Sequence, residues 1–520
     1  MVKEDDLTNL IQSLSKSEKR YFKLYVDKNT KGESNHYIKL FDLIEKAGTA
    51  EKKAIQTLYV DNDFMRSQFR VYKHLLYKMI LKSLTAFHSE KSVDDQIQEA
   101  IRQAKVLYDK ALYSQAGKVI KKAKYIACKY EKDTILLEII RWQKKIMISS
   151  SIYGNASEKD IIQLSKEEKI SVHKVGNVNQ YWEQYVLMFQ LYLINGKVRN
   201  QEEIKKYNRI IDIPILKNEE LPSSFQSKKY FYAIYFLYYE VVNNMKEAYI
   251  SCKKFLDLME ALPHQLEEEA TQYIATLHNL LFCMKKLKKY EELINTIPKL
   301  RSMLKKFPEY ENTHWNILIY THNIEFSIYL DTGQFQKAEK ILTEIEALLQ
   351  SQKNSRLSFE LSFNLNKALF YFGNNDYHKA ISCINFILNK KKADVLEDHY
   401  SFAKIFSLIL HFERGNIELL PYLIRSVYRY LLRKNKLYII ESVFLEFIRT
   451  KLFLINNKKD FIEAFQSLRE KLIIVFENPL ETIFLEFFDI ISWLESKIEG
   501  RPFGEILREK SGYTLEEENG

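Results

Sequence analysis

The amino-acid sequence predicts an all-α chain, a stack of antiparallel helix pairs behind an N-terminal helical head. Three observations predict it. Gly and Pro are scarce, 13 and 8 in 520 residues, whereas sheets and phosphate-cradling loops need many of both at their turns. Apolar residues recur at helical spacing, as in Phe69, Tyr72, Leu76, Met79, Ile80 and Leu84. One short pattern also returns every 40 to 45 residues through the second half of the chain.

Residues 1–90 read as a separate helical head. Ser15-Lys-Ser-Glu18 has the form of a capping box. Its serine oxygen accepts from the N–H three residues on, and its glutamate reaches back. Helices are expected near Lys19–Val26, His36–Lys46, Glu51–Tyr59 and Phe64–His88, with a loop over Asp27–Asn35.

Beyond residue 90 the recurring pattern is a turn residue, an aromatic or apolar residue two positions later, Ala three further on, and a large apolar residue four after that. It is clearest at Ala111-Tyr113-Ala116-Ile120, Gly333-Phe335-Ala338-Leu342 and Asn375-Tyr377-Ala380-Ile384. Weaker copies are Asn243-Met245-Ala248-Cys252, Lys288-Tyr290-Leu293-Ile297, Gly415-Ile417-Leu420-Ile424 and Lys459-Phe461-Ala464-Leu468. Each position has a physical task. The turn residue joins helix A to helix B, the second residue wedges between them, and Ala lets helix B approach its neighbour closely. Five of the seven Ala positions hold Ala, and from Met245 the anchors step by 45, 45, 42, 40 and 44 residues. Gly196-Val198 fits as one weak repeat in the gap between Tyr113 and Met245.

These residues resemble the tetratricopeptide repeat, and the resemblance covers about residues 95–475. It implies a right-handed superhelical solenoid whose inner surface comes from the A helices. The chain departs from the family in two ways. Its repeat is longer than the family's, and the small residue expected midway along helix A is often large, as at Phe236, Leu281, Phe326, Leu408 and Leu452, though Ala104 and Ala368 fit. Carried over by the anchors, the groove-facing positions are His278, Phe282, Asn323, Ser327, Leu365, Leu369, Arg449 and Phe453. The Lys and Asn pattern with which part of the family holds C-terminal carboxylates is missing.

The expected divisions are the head, a first stack over 91–210, a second over 225–500 and a tail over 501–520. The joint between stacks is Ile211–Ser224, which holds Pro214, Pro222 and a polar run. Asn478-Pro479-Leu480-Glu481 reads as the start of a helix that runs to Ile498 and closes the array.

The net charge of +10 is concentrated, because Arg66 to Lys145 holds 18 basic and 8 acidic residues while the rest balances. Within it Arg66, Arg70 and Lys73 form one helical stripe, and Lys118, Lys122 and Lys129 another. Such stripes are candidate polyanion contacts, with Tyr72, Tyr77, Tyr108, Tyr113 and Tyr125 nearby as candidate stacking platforms.

Enzyme signatures are missing: no phosphate-binding glycine loop, no His-Glu-x-x-His, no nucleophile elbow, no clustered Cys and His. Glu311 and His314 have di-iron spacing without the second pair such a site needs, and read as a helix start. His322 and Glu325 read as a surface pair. The four cysteines, far apart, read as small buried residues in a reducing cytosol. The acidic N-terminus does not have the form of a signal peptide, and the longest aromatic-apolar stretch, Tyr230–Val242, carries five tyrosines and is too short to span a bilayer. The expectation is a cytoplasmic interaction protein that takes a peptide or protein segment, not an enzyme, with no cofactor and no membrane partner. The rival is a nucleic-acid-binding transcriptional regulator that uses the basic region 64–145, with the array as sensor or dimeriser.

Overall fold

The computed structural model describes residues 4–29, 34–47, 63–88, 92–151, 157–306, 311–351, 357–390, 397–454 and 457–512. The expected helix Glu51–Tyr59 and the end of the tail lie outside them. All regular structure among the described residues is helical, and no described helix is long and apolar enough to cross a membrane. The chain divides into two compact units, 1–172 and 173–520.

The first unit begins with α1 (Glu4–Ser13), α2 (Lys16–Asn29), α3 (Ser34–Ala47) and α4 (Asp63–His88). Leu7, Ile11, Phe22, Phe41, Leu76 and Ile80 form their common core. The capping box is present: Ser15 N–H donates to Glu18 at 2.7 Å, and Glu18 N–H donates to Ser15 Oγ at 3.3 Å. Then come α5 (Val93–Asp109), α6 (Tyr113–Lys129) and α7 (Asp133–Ser151), each packed on the next. Ala104, Ala116, Ala123 and Ala127 are fully buried between them. Methyl-sized side chains there let the helix axes approach closely. The boundary between units falls inside α8 (Glu158–Asn195).

The second unit continues with α9 (Gln201–Ile211), α10 (Phe225–Val241), α11 (Met245–Ala261), a short α12 (Pro263–Glu268), α13 (Ala270–Lys286) and α14 (Tyr290–Lys306). Next are α15 (Glu311–Asp331), α16 (Phe335–Ser351), α17 (Leu357–Gly373), α18 (Tyr377–Leu388), α19 (Glu397–Glu413), α20 (Leu420–Arg433), α21 (Ile439–Thr450) and α22 (Lys458–Val475). Helices pack on their neighbours in sequence, and α13, α15, α17 and α19 also pack on one another as a row.

The repeat register comes from the turns. Ala111, Asn243, Lys288, Gly333, Asn375 and Gly415 all have left-handed φ, between 55° and 78°. After each, an N–H reaches back five residues to close the turn, as from Asn244 to Tyr239, Gln334 to Tyr329 and Asp376 to Tyr371, each at 2.8 Å. Tyr113, Met245, Tyr290, Phe335 and Tyr377 are then the first residues of α6, α11, α14, α16 and α18. Ala116, Ala248, Ala338 and Ala380 are fully buried. Gly196 is left-handed too, at the weak repeat, and the left-handed residues Glu131, Asn435, Gly500 and Gly512 fall outside the pattern.

Several expectations are corrected. The last anchor is out of register: Asn457 caps α22, so Phe461 lies inside the helix and not at its start. Ile211–Ser224 is no loose joint. Leu216 and Pro222 are buried, Tyr181 hydroxyl donates to Ile215 carbonyl at 2.6 Å, and Ser224 with Ser227 caps α10. The closing element is not one helix from 480 to 498. It is a 3-10 turn (Thr482–Glu486), α23 (Ile490–Glu499) and α24 (Phe503–Ser511). Ile483, Phe484, Phe488 and Ile490 are all buried, but the backbone closes there with short bonds, as from Phe487 N–H to the Phe484 carbonyl at 3.1 Å, and Asp489 caps a new helix. The expected tail is therefore folded as far as residue 512. Cys252, Cys283 and Cys383 are buried, but Cys128 is exposed.

Candidate functional site

Helices α13, α15 and α17 place side chains from successive repeats on one cavity of about 650 Å³ in the second unit. His278, Phe282, Asn323, Ser327, Leu365 and Leu369 all line it. The wall opposite comes from α8, α10 and the returning C-terminal segment, through Tyr192, Phe236, Glu240, Glu486 and Phe487.

Its polar lining is partly satisfied within the protein. Asn366 Nδ2 donates to Asn323 Oδ1 at 3.2 Å. Ser327 hydroxyl donates to the Ile324 carbonyl at 2.8 Å. His278 stacks on Tyr320 with centroids 4.2 Å apart, and burial lowers its pKa to about 4, so the ring is neutral. His399 contacts Ser362 at 3.3 Å through Nε2, while its Nδ1 is buried with no hydrogen-bond partner among the described residues.

At one end the cavity meets a cluster of buried charges. Lys197 Nζ donates to both oxygens of Glu486, at 2.6 and 2.7 Å, and lies 3.6 Å from Glu240. Lys286 Nζ is 3.4 Å from Glu486. Lys436 reaches Asp398 at 3.1 Å. The formal charges of these six groups cancel. Burial opposes the charge on Lys197, but Glu486 and Glu240 outweigh it and hold the ammonium protonated. Burial also opposes the charge on Glu486, yet Lys286 and Lys197 hold its carboxyl below the usual range. Burial raises Glu240 and lowers Lys286 to about 8. Phe282 lies between the two ammoniums, 5.9 Å from Lys197 and 5.6 Å from Lys286. Next to this cluster Arg199 contacts Glu441 at 3.2 Å and Glu481 at 3.4 Å.

Arg449 and Phe453 do not line the cavity. Both are exposed, Phe453 in a 3-10 turn after α21. Their expected placement rests on the anchor at Phe461, the one that is out of register. The cluster itself was missed, since its partners are up to 289 residues apart. The available signal was a lone carboxylate in an aromatic run, Glu240 in YFLYYEV and Glu486 in IFLEFFD, because a charge there is buried and requires a partner.

In the first unit Lys118, Lys122 and Lys129 are exposed on one face of α6, and Tyr125, between them, is 71% exposed. Lys124 and Lys132 face neighbours instead, pairing with Glu167 and Asp94. Arg66 and Arg70 lie on α4, their side chains outside the described residues, and Lys73 is half-buried. Tyr72 packs on Tyr37 and Tyr108 on Tyr113. His322 and Glu325 do not pair: His322 lies 3.2 Å from Glu344, and Glu325 accepts from Arg301 at 2.7 Å. Glu311 begins α15, as expected of a helix start. No group of three or more potential metal ligands occurs among the described residues.

No protein-family model matches the chain, and no curated protein matches it.

Proposed function

We propose that this chain is a tetratricopeptide-like repeat protein, wound as a right-handed superhelix, that binds a peptide or protein segment in the cavity of its second unit and catalyses no reaction. The observation that carries the reading is the convergence of equivalent positions from three successive repeats, His278 and Phe282, Asn323 and Ser327, Leu365 and Leu369, on one cavity. Repeated A helices present matching side chains at a fixed spacing, and an extended chain presents its side chains and amides at a fixed spacing too. Asn279, Asn323 and Asn366 supply amide groups suited to a peptide backbone, and Phe236, Phe282, Leu365 and Leu369 supply apolar contact for its side chains. The charged end is internally neutral, so the favoured occupant is an uncharged or weakly charged segment.

The test is a display library of random twelve-residue peptides, panned against the full chain and against Asn323→Leu and Asn366→Leu variants. Peptides selected by the native chain should bind each variant at least about tenfold more weakly, a loss of about 1.4 kcal/mol. Their affinity should change little between low and high salt. Selection of the same peptides, with equal affinity, by all three proteins would overturn the reading.

A second reading has one observation in its favour. The exposed Tyr125 amid Lys118, Lys122 and Lys129 is the combination of aromatic platform and cations that single-stranded nucleic acid uses. It concerns the first unit alone and is tested by the salt titration described below.

A further inference from the structure

Helix α20 buries Leu420, Ile424, Val427, Tyr430 and Leu431. Its opposite face carries Arg425, Arg429 and Arg433, all exposed. Beside them Tyr422 is 72% exposed, Tyr428 43% and Leu432 54%. At 100° per residue these six positions fall within about 140° of the helical wheel, and Arg425 to Arg433 spans about 12 Å of axis.

Two features separate this face from an ordinary solvated one. The first is that none of the three guanidiniums makes an ion pair among the described residues. The nearest polar contact is Arg433 Nε donating to the Arg429 carbonyl at 3.3 Å. Arg301 and Arg469 of the same unit pair with Glu325 and Glu495, and the unpaired Arg209, Arg414 and Arg449 stand singly on other helices or turns. Between Ile417 and Lys434 the sole acidic residue is Glu418. The second is composition. Large apolar and aromatic groups stand in water beside the cations, and Leu419, at 49% exposure, extends them towards the preceding turn. Tyr and Arg are the residue types enriched where protein interfaces concentrate their binding energy. Lysine would serve a diffuse polyanion equally well, whereas the planar guanidinium fork matches a carboxylate in two-point geometry.

We propose that the outer face of α20 is a docking surface for an acidic amphipathic helix of a partner protein, one with carboxylates a turn apart beside a leucine or aromatic stripe. The carboxylates pair with Arg425, Arg429 and Arg433. The stripe covers Tyr422, Tyr428 and Leu432. This surface is separate from the cavity and does not depend on the peptide reading of it.

The experiment pans a display library of helix-biased fourteen-residue peptides against the full chain, with counter-selection on an Arg425→Glu/Arg429→Glu variant. Both positions are exposed, so circular dichroism and the melting midpoint of that variant should match the native chain. Peptides taken only by the native chain should carry Asp or Glu three or four residues apart. In anisotropy titrations they should weaken at least about tenfold on the double variant and on Tyr422→Ala, and weaken further with salt. They should be indifferent to Asn323→Leu, which separates this surface from the cavity. The proposal is overturned if native and variant chains select the same peptides, or if the native-specific peptides show no acidic enrichment. It is equally overturned if mixed-sequence oligonucleotides or anionic vesicles bind through Arg425 and Arg429 while no acidic peptide does, or if Tyr422→Ala dissolves a dimer of the chain.

Discussion

Gly333 and Gly415 occupy the same turn position two repeats apart, and replacing each by Ala should have unequal consequences. Both have left-handed φ, +67° and +78°, so an added Cβ costs each about 1 kcal/mol in backbone strain. At Gly415 nothing lies within 4 Å of the new atom, and the cost ends there. At Gly333 the Cβ would drive into the Gly504 carbonyl, closer than real Cβ contacts come, and meet Leu507 Cβ at 3.0 Å. Both neighbours belong to α24 and its first turn, so the helix must lift. Overpacking of this kind costs about 1–3 kcal/mol. Lifting also strains the bond from Arg508 Nη1 to the Gly333 carbonyl, 2.9 Å long. The expected totals are about 1 kcal/mol for Gly415→Ala and about 3 kcal/mol for Gly333→Ala. Hydrogen exchange read by peptide mass should then show residues 503–511 losing protection about 30-fold more in the second variant, since each 1.4 kcal/mol is tenfold. Equal exchange of that segment in the two variants, with equal melting midpoints, would refute the seating of α24 on this turn.

Glu486→Gln should destabilise the second unit by about 3–5 kcal/mol, because it strips buried Lys286 of its ion-pair carboxylate and leaves Lys197 the longer contact to Glu240 at 3.6 Å. Adding Lys286→Met should recover part of the loss in the denaturant midpoint, and strict additivity of the two changes would contradict the coupling. The His278 ring, with its pKa lowered to about 4 by burial, refuses a proton that the unfolded chain accepts near pH 6.5. Its contribution is therefore complete above pH 6.5 and declines by up to about 3 kcal/mol as pH falls to 4. His278→Gln should flatten stability against pH in that window, and an unchanged slope would show the ring protonates freely. Replacing Lys118, Lys122 and Lys129 with Gln should leave the melting midpoint unmoved, as these are exposed lysines. If the first unit binds labelled single-stranded oligonucleotides, the triple variant should flatten the salt dependence by about 0.7 per lost contact on log–log axes. No binding by the native chain at low salt excludes that reading.

The helix pairs were legible because their signals are local. A left-handed turn residue, a wedge two positions on and a buried small residue three further on lie within six residues of sequence, and six of the seven anchors fall where the backbone makes those turns. The cavity residues at 278, 282, 323, 327, 365 and 369 follow from that register together with the tetratricopeptide resemblance, which implies an inner surface made by the A helices. What was not legible depends on the chain's return. Nothing near residue 486 in sequence says that it will meet Lys197, and nothing near Gly333 announces Gly504. The closing segment departs from expectation for the same reason, as helical propensity over 480–498 gives way to the tertiary packing of Ile483, Phe484 and Phe488. Cys128 departs from expectation differently: apolar character predicts burial only on average, and it lies on the outward face of α6.

The charge cluster bears on how the returning segment is seated. Replacing buried ion pairs with apolar side chains is often neutral for stability, so their value here is sought elsewhere. Thr482–Glu486 is a 3-10 turn with aromatic residues on either side of its one inward carboxylate. Apolar contacts alone discriminate poorly among seatings of such a segment, because Phe484, Phe487 and Phe488 are near equals in volume and each meets aromatic partners such as Phe402, Phe406 and Phe372. A slip of one residue, however, would set Leu485 or Phe487 against Lys197 and Lys286 and strand Glu486 among phenyl rings. Lys286 without its ion-pair carboxylate, Lys197 with Glu240 as its remaining contact, and a carboxylate stranded without a cation together cost several kcal/mol. Glu481, which accepts from the N–H of Ile440 at 3.1 Å and contacts Arg199 at 3.4 Å, fixes the segment a second time five residues upstream. Two charged fixings, neither able to move without the other, select one register for the closing segment, and with it the position of Phe487 on the cavity wall.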